Sequence, residues 1–158
     1  MLGNYVEIML QSLDKKEKVL DNIIELNINQ RNALENPNLL PDEFDEIVEA
    51  KSQLIDQLNL LDSGFEKLFE RTKDELEGKK SYYAEQIKEM QKRIRHITDK
   101  SIEIQAQESR NKDLMTRKFT SIKEQAKTFR TSNKVANQYK QNMGNYNTID
   151  PQFMDNKN

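Results

Sequence analysis

The side chains that most often carry chemistry are sparse in this chain, which has one histidine, His96, and no cysteine. Helical metal sites of the Glu-x-x-His type need a carboxylate three residues before the histidine. Arg93 stands at that position instead. Without cysteine there is no disulfide, no thiolate nucleophile and no cysteine ligand for zinc. We therefore predict no metal site, and we expect His96 to be a solvated or packing side chain.

Five carboxylates form one cluster near residue 45: Asp42, Glu43, Asp45, Glu46 and Glu49. The cluster contains no glycine of the kind that a calcium-binding loop requires. Negative charge is favourable in the first turn of a helix, so the start of a helix explains the cluster, with Asp42 as its cap. The sequence also lacks a glycine-rich phosphate loop and a Gly-x-Ser-x-Gly motif. We predict that the protein is not an enzyme and uses no cofactor.

The composition favours long helices over any sheet-based fold. The 158 residues are 33% charged and 35% hydrophobic, and they include only four Gly and three Pro. Average proteins contain about 12% Gly plus Pro, and a sandwich or barrel needs many turns. A mean hydropathy of −0.95 also argues against a thick globular core. We predict an all-α, antiparallel long-helix bundle or coiled coil, with one domain over residues 1–141.

Hydrophobic periodicity divides the domain into three helices, at about 2–31, 42–77 and 81–141. Pro37 and Pro41 indicate a connector at 32–41, because the residue before a proline is biased away from the helical conformation. The second helix has the clearest heptad, which continues across Gly64 and ends at Gly78. Its central column is Phe44, Lys51, Leu58, Phe65 and Thr72.

The third helix is predicted to be much longer than its neighbours. No Gly or Pro interrupts the sequence from Ser81, its predicted cap, to Gly144. At 1.5 Å per residue, 81–141 would span about 92 Å, against about 54 Å for the second helix. A hairpin turning at 78–80 would then leave the third helix unmatched from near residue 116. The alternative is a break near 109–113, which would give four helices.

The predicted overhang carries a second apolar stripe, separated from the first by a polar stretch between 101 and 112. We call this stripe the C-terminal seam: Met115, Phe119, Ile122, Ala126, Phe129, Ala136 and Tyr139. An exposed seam of this kind is typical of surfaces that bind a partner helix, and Met repacks readily against varied partners. A fourth helix or a homodimer core would also account for it.

Charge is distributed unevenly along the chain. Residues 1–78 carry 8 basic and 18 acidic side chains, whereas 79–142 carry 16 basic and 7 acidic ones. Interleaved acids and a central apolar stripe favour complementary packing of helices over a nucleic-acid site. The chain contains no run of about 18 apolar residues, the length needed to span a bilayer, and its start lacks the pattern of a secretory signal. We therefore expect a cytoplasmic protein without membrane insertion. Residues 142–158 are predicted to be a flexible polar tail.

Several diffuse sequence blocks resemble the FlgN-type family of flagellar export chaperones. They are Asp42-Glu43-Phe44-Asp45, residues 51–58, Leu61-Asp62-Ser63-Gly64-Phe65-Glu66, residues 98–112 and Asp150-Pro151-Gln152-Phe153-Met154-Asp155. The resemblance implies a cytoplasmic chaperone that holds the terminal helices of hook-filament junction proteins, prevents their premature assembly and delivers them to the export gate. The C-terminal seam would then bind the client, and Tyr146 and Phe153 in the tail are candidates for docking at the export gate. The alternative is a homodimeric coiled-coil scaffold or adaptor.

Overall fold

A computed structural model describes residues 2–118, 130 and 133–141 of the chain. Three long helices lie within this part: α1 (Leu2–Glu35), α2 (Pro41–Gly78) and α3 (Ala84–Lys118). Residues 133–141 are also helical and are called α4 here. The described residues contain no strand, so the predicted all-α class is confirmed. None of the helices in this part is long and apolar enough to cross a membrane.

The connector between α1 and α2 is shorter than predicted, because α1 continues to Glu35. The turn is held by backbone bonds and by the Asn36 side chain, whose Oδ1 accepts from the Asn38 amide at 2.9 Å. Helix α2 starts with Pro41 at its first position, where the missing N–H costs nothing, and Leu40 is the cap residue. The prediction that Asp42 caps this helix was therefore wrong, and Asp42 lies in the first turn.

The turn between α2 and α3 also differs from the prediction. Gly78 is the last residue of α2 and does not adopt the left-handed conformation expected beyond a helix end. The amide of Lys79 donates to the Leu76 carbonyl at 3.1 Å, and the chain turns over 79–83. Helix α3 begins only at Ala84, so Ser81 does not cap it. Its start is stabilised by the Ile87 amide, which donates to the Tyr83 carbonyl at 2.9 Å.

Helix α1 lies between α2 and α3 and packs against both. Contacts with α2 run in opposite order along the two chains, from Lys16–Asp62 to Asn27–Lys51, so these helices are antiparallel. Contacts with α3 run in the same order, from Glu17–Lys100 to Asn27–Gln107, so α1 and α3 are parallel. Helices α2 and α3 have no Cα pair within 8 Å and meet only through side chains.

The third helix does not extend unbroken to residue 141. Val135 and Ala136 of α4 line the same cleft as Glu108 and Asn111 of α3. In one straight helix, Val135 would lie about 36 Å beyond Asn111. The four-helix alternative is therefore confirmed, although residues 109–113 lie inside α3 and are not the break.

The described part of α3, which ends at Lys118, does not extend beyond α1. Helices α1 and α3 are 34 and 35 residues long and start at the same end of the bundle. Near the other end, the Lys118 ammonium donates to the Asn36 carbonyl just after α1. Helix α1 thus accompanies α3 along its described length.

The core follows the apolar faces that periodicity predicts. All five members of the central α2 column are buried, and Phe44 and Leu58 are completely inaccessible. From α3, Met90, Ile94 and Ile97 fill the same interior. Burying such a side chain stabilises the fold by about 1.5–3 kcal/mol relative to leaving it in water. This interior positions the polar side chains that interrupt it.

Candidate functional site

A layer of polar side chains crosses the bundle where α1, α2, α3 and α4 meet. Each of them projects from a helix face that is otherwise apolar, so the core is interrupted at one level. We call this set the polar layer: Asn27, Gln30, Lys51, Gln107, Glu108 and Asn111. A buried polar group is costly unless it is hydrogen-bonded, so the layer depends on complete pairing.

Lys51 is the centre of the polar layer. Its side chain is only 2% exposed, and its ammonium donates to Asn27 Oδ1 at 2.9 Å and to Gln30 Oε1 at 2.7 Å. The third donation goes to the carboxylate of Glu108 on α3. An ammonium has three donors, and all three are used, so the buried charge is fully paired.

The amides of α1 and α3 complete the polar layer. Asn27 Nδ2 donates to Gln107 Oε1 at 3.0 Å. Asn111 Nδ2 donates to the Asn27 carbonyl at 3.0 Å and to Gln30 Oε1 at 3.1 Å. These bonds join α1 to α3, and the bonds of Lys51 join both of them to α2. The layer fixes the axial register of α1, α2 and α3.

Burial lowers the pKa of Lys51 from its usual value, although the charge of Glu108 and its hydrogen bond oppose this shift. The direction follows from the low dielectric of the interior, which disfavours the ammonium form. The ammonium therefore depends on Glu108, and a change that removes the carboxylate also weakens the charged form of Lys51. The two groups act as one unit across the space between α2 and α3.

A second charged network joins the outer faces of α1 and α3. Glu17 accepts from Lys100 Nζ at 2.8 Å and from Arg93 at 3.1 Å, and Lys100 also lies 2.7 Å from Asp21. Burial by itself would raise the pKa of Glu17, but the hydrogen bonds from Lys100 and Arg93 leave that pKa below its usual value. His96 Nδ1 lies 3.8 Å from the same carboxylate. Acidic α1 thus packs against basic α3, as complementary charges predict.

The C-terminal seam is only partly within the described residues. Met115 on α3 and Tyr139 on α4 are 1% and 5% exposed, and Ala136 on α4 is half-buried. They belong to the interior of this chain. The other seam residues, and the two tail residues predicted to dock at an export gate, lie outside the described part: Phe119, Ile122, Ala126, Phe129, Tyr146 and Phe153.

Helix α4 lies beside the polar layer, where Val135 and Ala136 line one cleft together with residues of α1, α2 and α3. Val135 is buried there, and a cleft remains between α4 and the polar layer. Two polar atoms of α4, Gln138 Oε1 and the Tyr139 hydroxyl, are buried without a hydrogen-bond partner. Burial raises the pKa of Tyr139, and the nearby charge of Glu108 adds to this effect.

Sequence reasoning identified Lys51 as a member of a core column but did not identify its partners. Asn27 and Gln30 continue the spacing of the buried α1 residues Ile23 and Leu34, in steps of four, three and four. This spacing was the sequence feature that could have identified Asn27 and Gln30 as members of the polar layer, because a polar residue in a buried column needs a buried hydrogen-bond partner. Among the described residues, no group of three or more His, Asp or Glu is placed to hold a metal ion.

Comparison with known proteins gives one match. A family model described as FlgN protein matches residues 1–147, which include all of the described helices. No curated protein and no solved structure matches the chain significantly.

Proposed function

The chain belongs to the FlgN family of flagellar export chaperones, and from this we propose a specific role in the cytoplasm. The protein binds amphipathic terminal helices of hook-filament junction proteins, keeps them from assembling early and delivers them to the export gate. The role needs no catalysis and no cofactor. The observation that carries the proposal is the family match over residues 1–147, which spans the entire bundle.

The helical architecture is suited to this role. Long amphipathic helices leave grooves between them, and an apolar face of a partner helix can be laid into such a groove. Covering that face would prevent the client from associating with other subunits. The client site that we propose is the C-terminal seam, which begins at Met115 on α3 and reaches Tyr139 on α4.

Binding at the seam involves a rearrangement, because two of its residues are part of the closed bundle. Met115 and Tyr139 are buried, so a client helix can reach them only after α4 has moved. We assign delivery to the export gate to the tail, with Tyr146 and Phe153 as its contact residues.

Co-expression with a junction protein tests the proposed function. We expect a soluble stoichiometric complex, and we expect the double substitution Phe119→Asp and Phe129→Asp to abolish it. The matched control places the same charge on exposed residues of α3 and α4, as Thr116→Asp with Asn137→Asp, and should leave the complex intact. A complex that survives the phenylalanine substitutions would remove the seam from the binding role.

Light scattering of the isolated protein measures its oligomeric state and so distinguishes the chaperone role from a scaffold role. A coiled-coil scaffold would form a tight homodimer that the same double substitution dissociates, and it would not recruit a junction protein. A chaperone should form the complex with its client whatever its own state of association.

A further inference from the structure

All three long helices repeat their buried residues every seven positions. In α1 the repeat forms two columns, which are Leu2, Met9, Lys16, Ile23 and Gln30, and Val6, Leu13, Leu20, Asn27 and Leu34. In α2 it forms the central column, from Phe44 to Thr72, and in α3 it comprises Met90, Ile97, Ile104 and Asn111. A seven-residue repeat coincides with itself when one helix slides by seven residues. Apolar burial therefore distinguishes only weakly between the native alignment and a shifted one.

Two buried lysines interrupt these columns, and each is paired with a carboxylate on another helix. Lys51 on α2 donates to Glu108 on α3 within the polar layer. Lys16 on α1 is only 3% exposed, and its ammonium donates to Asp62 Oδ1 on α2 at 2.6 Å. A lysine within an apolar heptad column lowers stability, but it selects the alignment in which its charge is paired.

A slip of α2 by one heptad would separate both lysines from their partners. If α2 moved by seven residues toward the start of α1, Lys51 would lie at the level of Leu20 and Ile23, which are apolar and buried. Lys16 would then face Ile55, seven positions before the residue that now pairs with it. Burying an unpaired charge in such surroundings is strongly unfavourable.

The connectors at the two ends of α2 are long enough to permit this slip. Each contains five residues, at 36–40 and at 79–83. A shift by seven residues moves α2 by about 10.5 Å, and five residues can extend to about 17 Å. The first connector is folded into a turn, in which the Leu39 amide donates to the Asn36 carbonyl at 3.2 Å. The length of the connectors therefore does not fix the alignment.

We propose that the two buried ion pairs, Lys16–Asp62 and Lys51–Glu108, select the register of α2 against α1 and α3. This role does not depend on the proposed chaperone function. The selected register also sets the position of α4, because the cleft that α4 lines is formed by residues of all three long helices. Moving the charged positions of α2 by one heptad moves the preferred alignment with them.

Cysteine cross-linking measures the register, because the chain contains no cysteine of its own. Ser12 Oγ lies 3.4 Å from the Leu61 carbonyl, so Ser12→Cys with Leu61→Cys reports the native alignment. Leu54 is half-buried like Leu61 and lies seven positions before it, so Ser12→Cys with Leu54→Cys reports the slipped alignment. In the native alignment this second pair is offset by about 10.5 Å along the helix axis. A short thiol-specific cross-linker distinguishes the two pairs.

An exchange of residues within α2, which keeps the composition of the chain, tests the selection. It moves the lysine and the aspartate by one heptad: Phe44→Lys, Lys51→Phe, Ile55→Asp and Asp62→Ile. The control exchanges two exposed residues of α2 that are also seven positions apart, Gln53→Leu with Leu60→Gln. We expect the slipped pair to cross-link at least tenfold faster in the exchanged chain, and at an unchanged rate in the control. An unchanged rate in an exchanged chain that keeps its helices would overturn the inference.

A second variant tests the selection if the exchanged chain does not fold. It replaces both ion pairs by apolar residues: Lys16→Met, Asp62→Leu, Lys51→Met and Glu108→Leu. Because such a replacement is often neutral for stability, this chain should keep its helices by circular dichroism, and its slipped pair should cross-link at least threefold faster than in the unsubstituted background. Loss of the helices, or an unchanged cross-linking rate, would show that the ion pairs do not act by selecting the register, and the inference would fail.

Discussion

Replacing Lys51 by methionine tests the polar layer directly, because it removes the charge and all three donors while keeping most of the side-chain volume. The Glu108 carboxylate, only 11% exposed, then lacks its ammonium partner. Asn27 Oδ1 also loses its donor, whereas Gln30 Oε1 keeps the bond from Asn111. Removing one partner of a buried ion pair typically costs about 3–5 kcal/mol. We expect a loss of stability in that range, which is a large part of the total for a small domain.

Urea denaturation followed by circular dichroism measures this loss. The matched control is Lys67→Met on the exposed face of α2, which should leave the midpoint nearly unchanged. Adding Glu108→Gln to Lys51→Met removes the stranded charge, so the double variant should be more stable than Lys51→Met alone, with a coupling of about 0.5–3 kcal/mol. A loss below about 1 kcal/mol for Lys51→Met would refute the reasoning, since a paired and buried ammonium cannot be removed at so small a cost.

Three further substitutions test other parts of the bundle. Glu17→Gln should destabilise by roughly 1–2 kcal/mol at neutral pH, and because the folded-state pKa of Glu17 is depressed, the difference from wild type should shrink as pH falls below the unfolded value of 4.5; a constant difference in pH-dependent urea titrations would contradict this. Gly64→Ala should stabilise by about 0.5–1 kcal/mol in thermal melts, since an added Cβ at this helical position meets nothing within 4 Å, and a lower melting temperature would refute it. Met115→Ala should cost about 2–5 kcal/mol in urea while Thr116→Ala costs little, because Met115 is buried and Thr116 is exposed; equal effects would show that Met115 lies on a free surface in the unliganded protein.

The helices of this protein could be predicted from its sequence because periodicity is a local property. The central α2 column from Phe44 to Thr72 is buried as predicted, and α2 runs through Gly64 without interruption. Helix ends were predicted less well. Asp42 and Ser81 are both suitable cap residues, but Pro41 starts α2 one position earlier and the chain turns until Tyr83 before α3 begins.

The candidate site could be predicted only in part. The C-terminal seam was recognised as an apolar stripe, and the structure places Met115 and Tyr139 in the interior. The sequence could not show this, since the same stripe can face a partner, a second copy or the chain's own helices. The hydrogen bond between Asn27 and Gln107 could not be predicted, because these residues are 80 positions apart and no local sequence pattern indicates such a contact.

The sequence by itself determined which faces of the helices are apolar, that Lys51 belongs to a buried column, and that the protein resembles the FlgN family. These features depend on residue type and on spacing within one helix. Only the tertiary structure decided that the segment after α3 packs back on the bundle as α4, and that Lys51 is paired by side chains of α1 and α3. Both outcomes depend on which helices are neighbours in space, and packing between distant segments sets that arrangement.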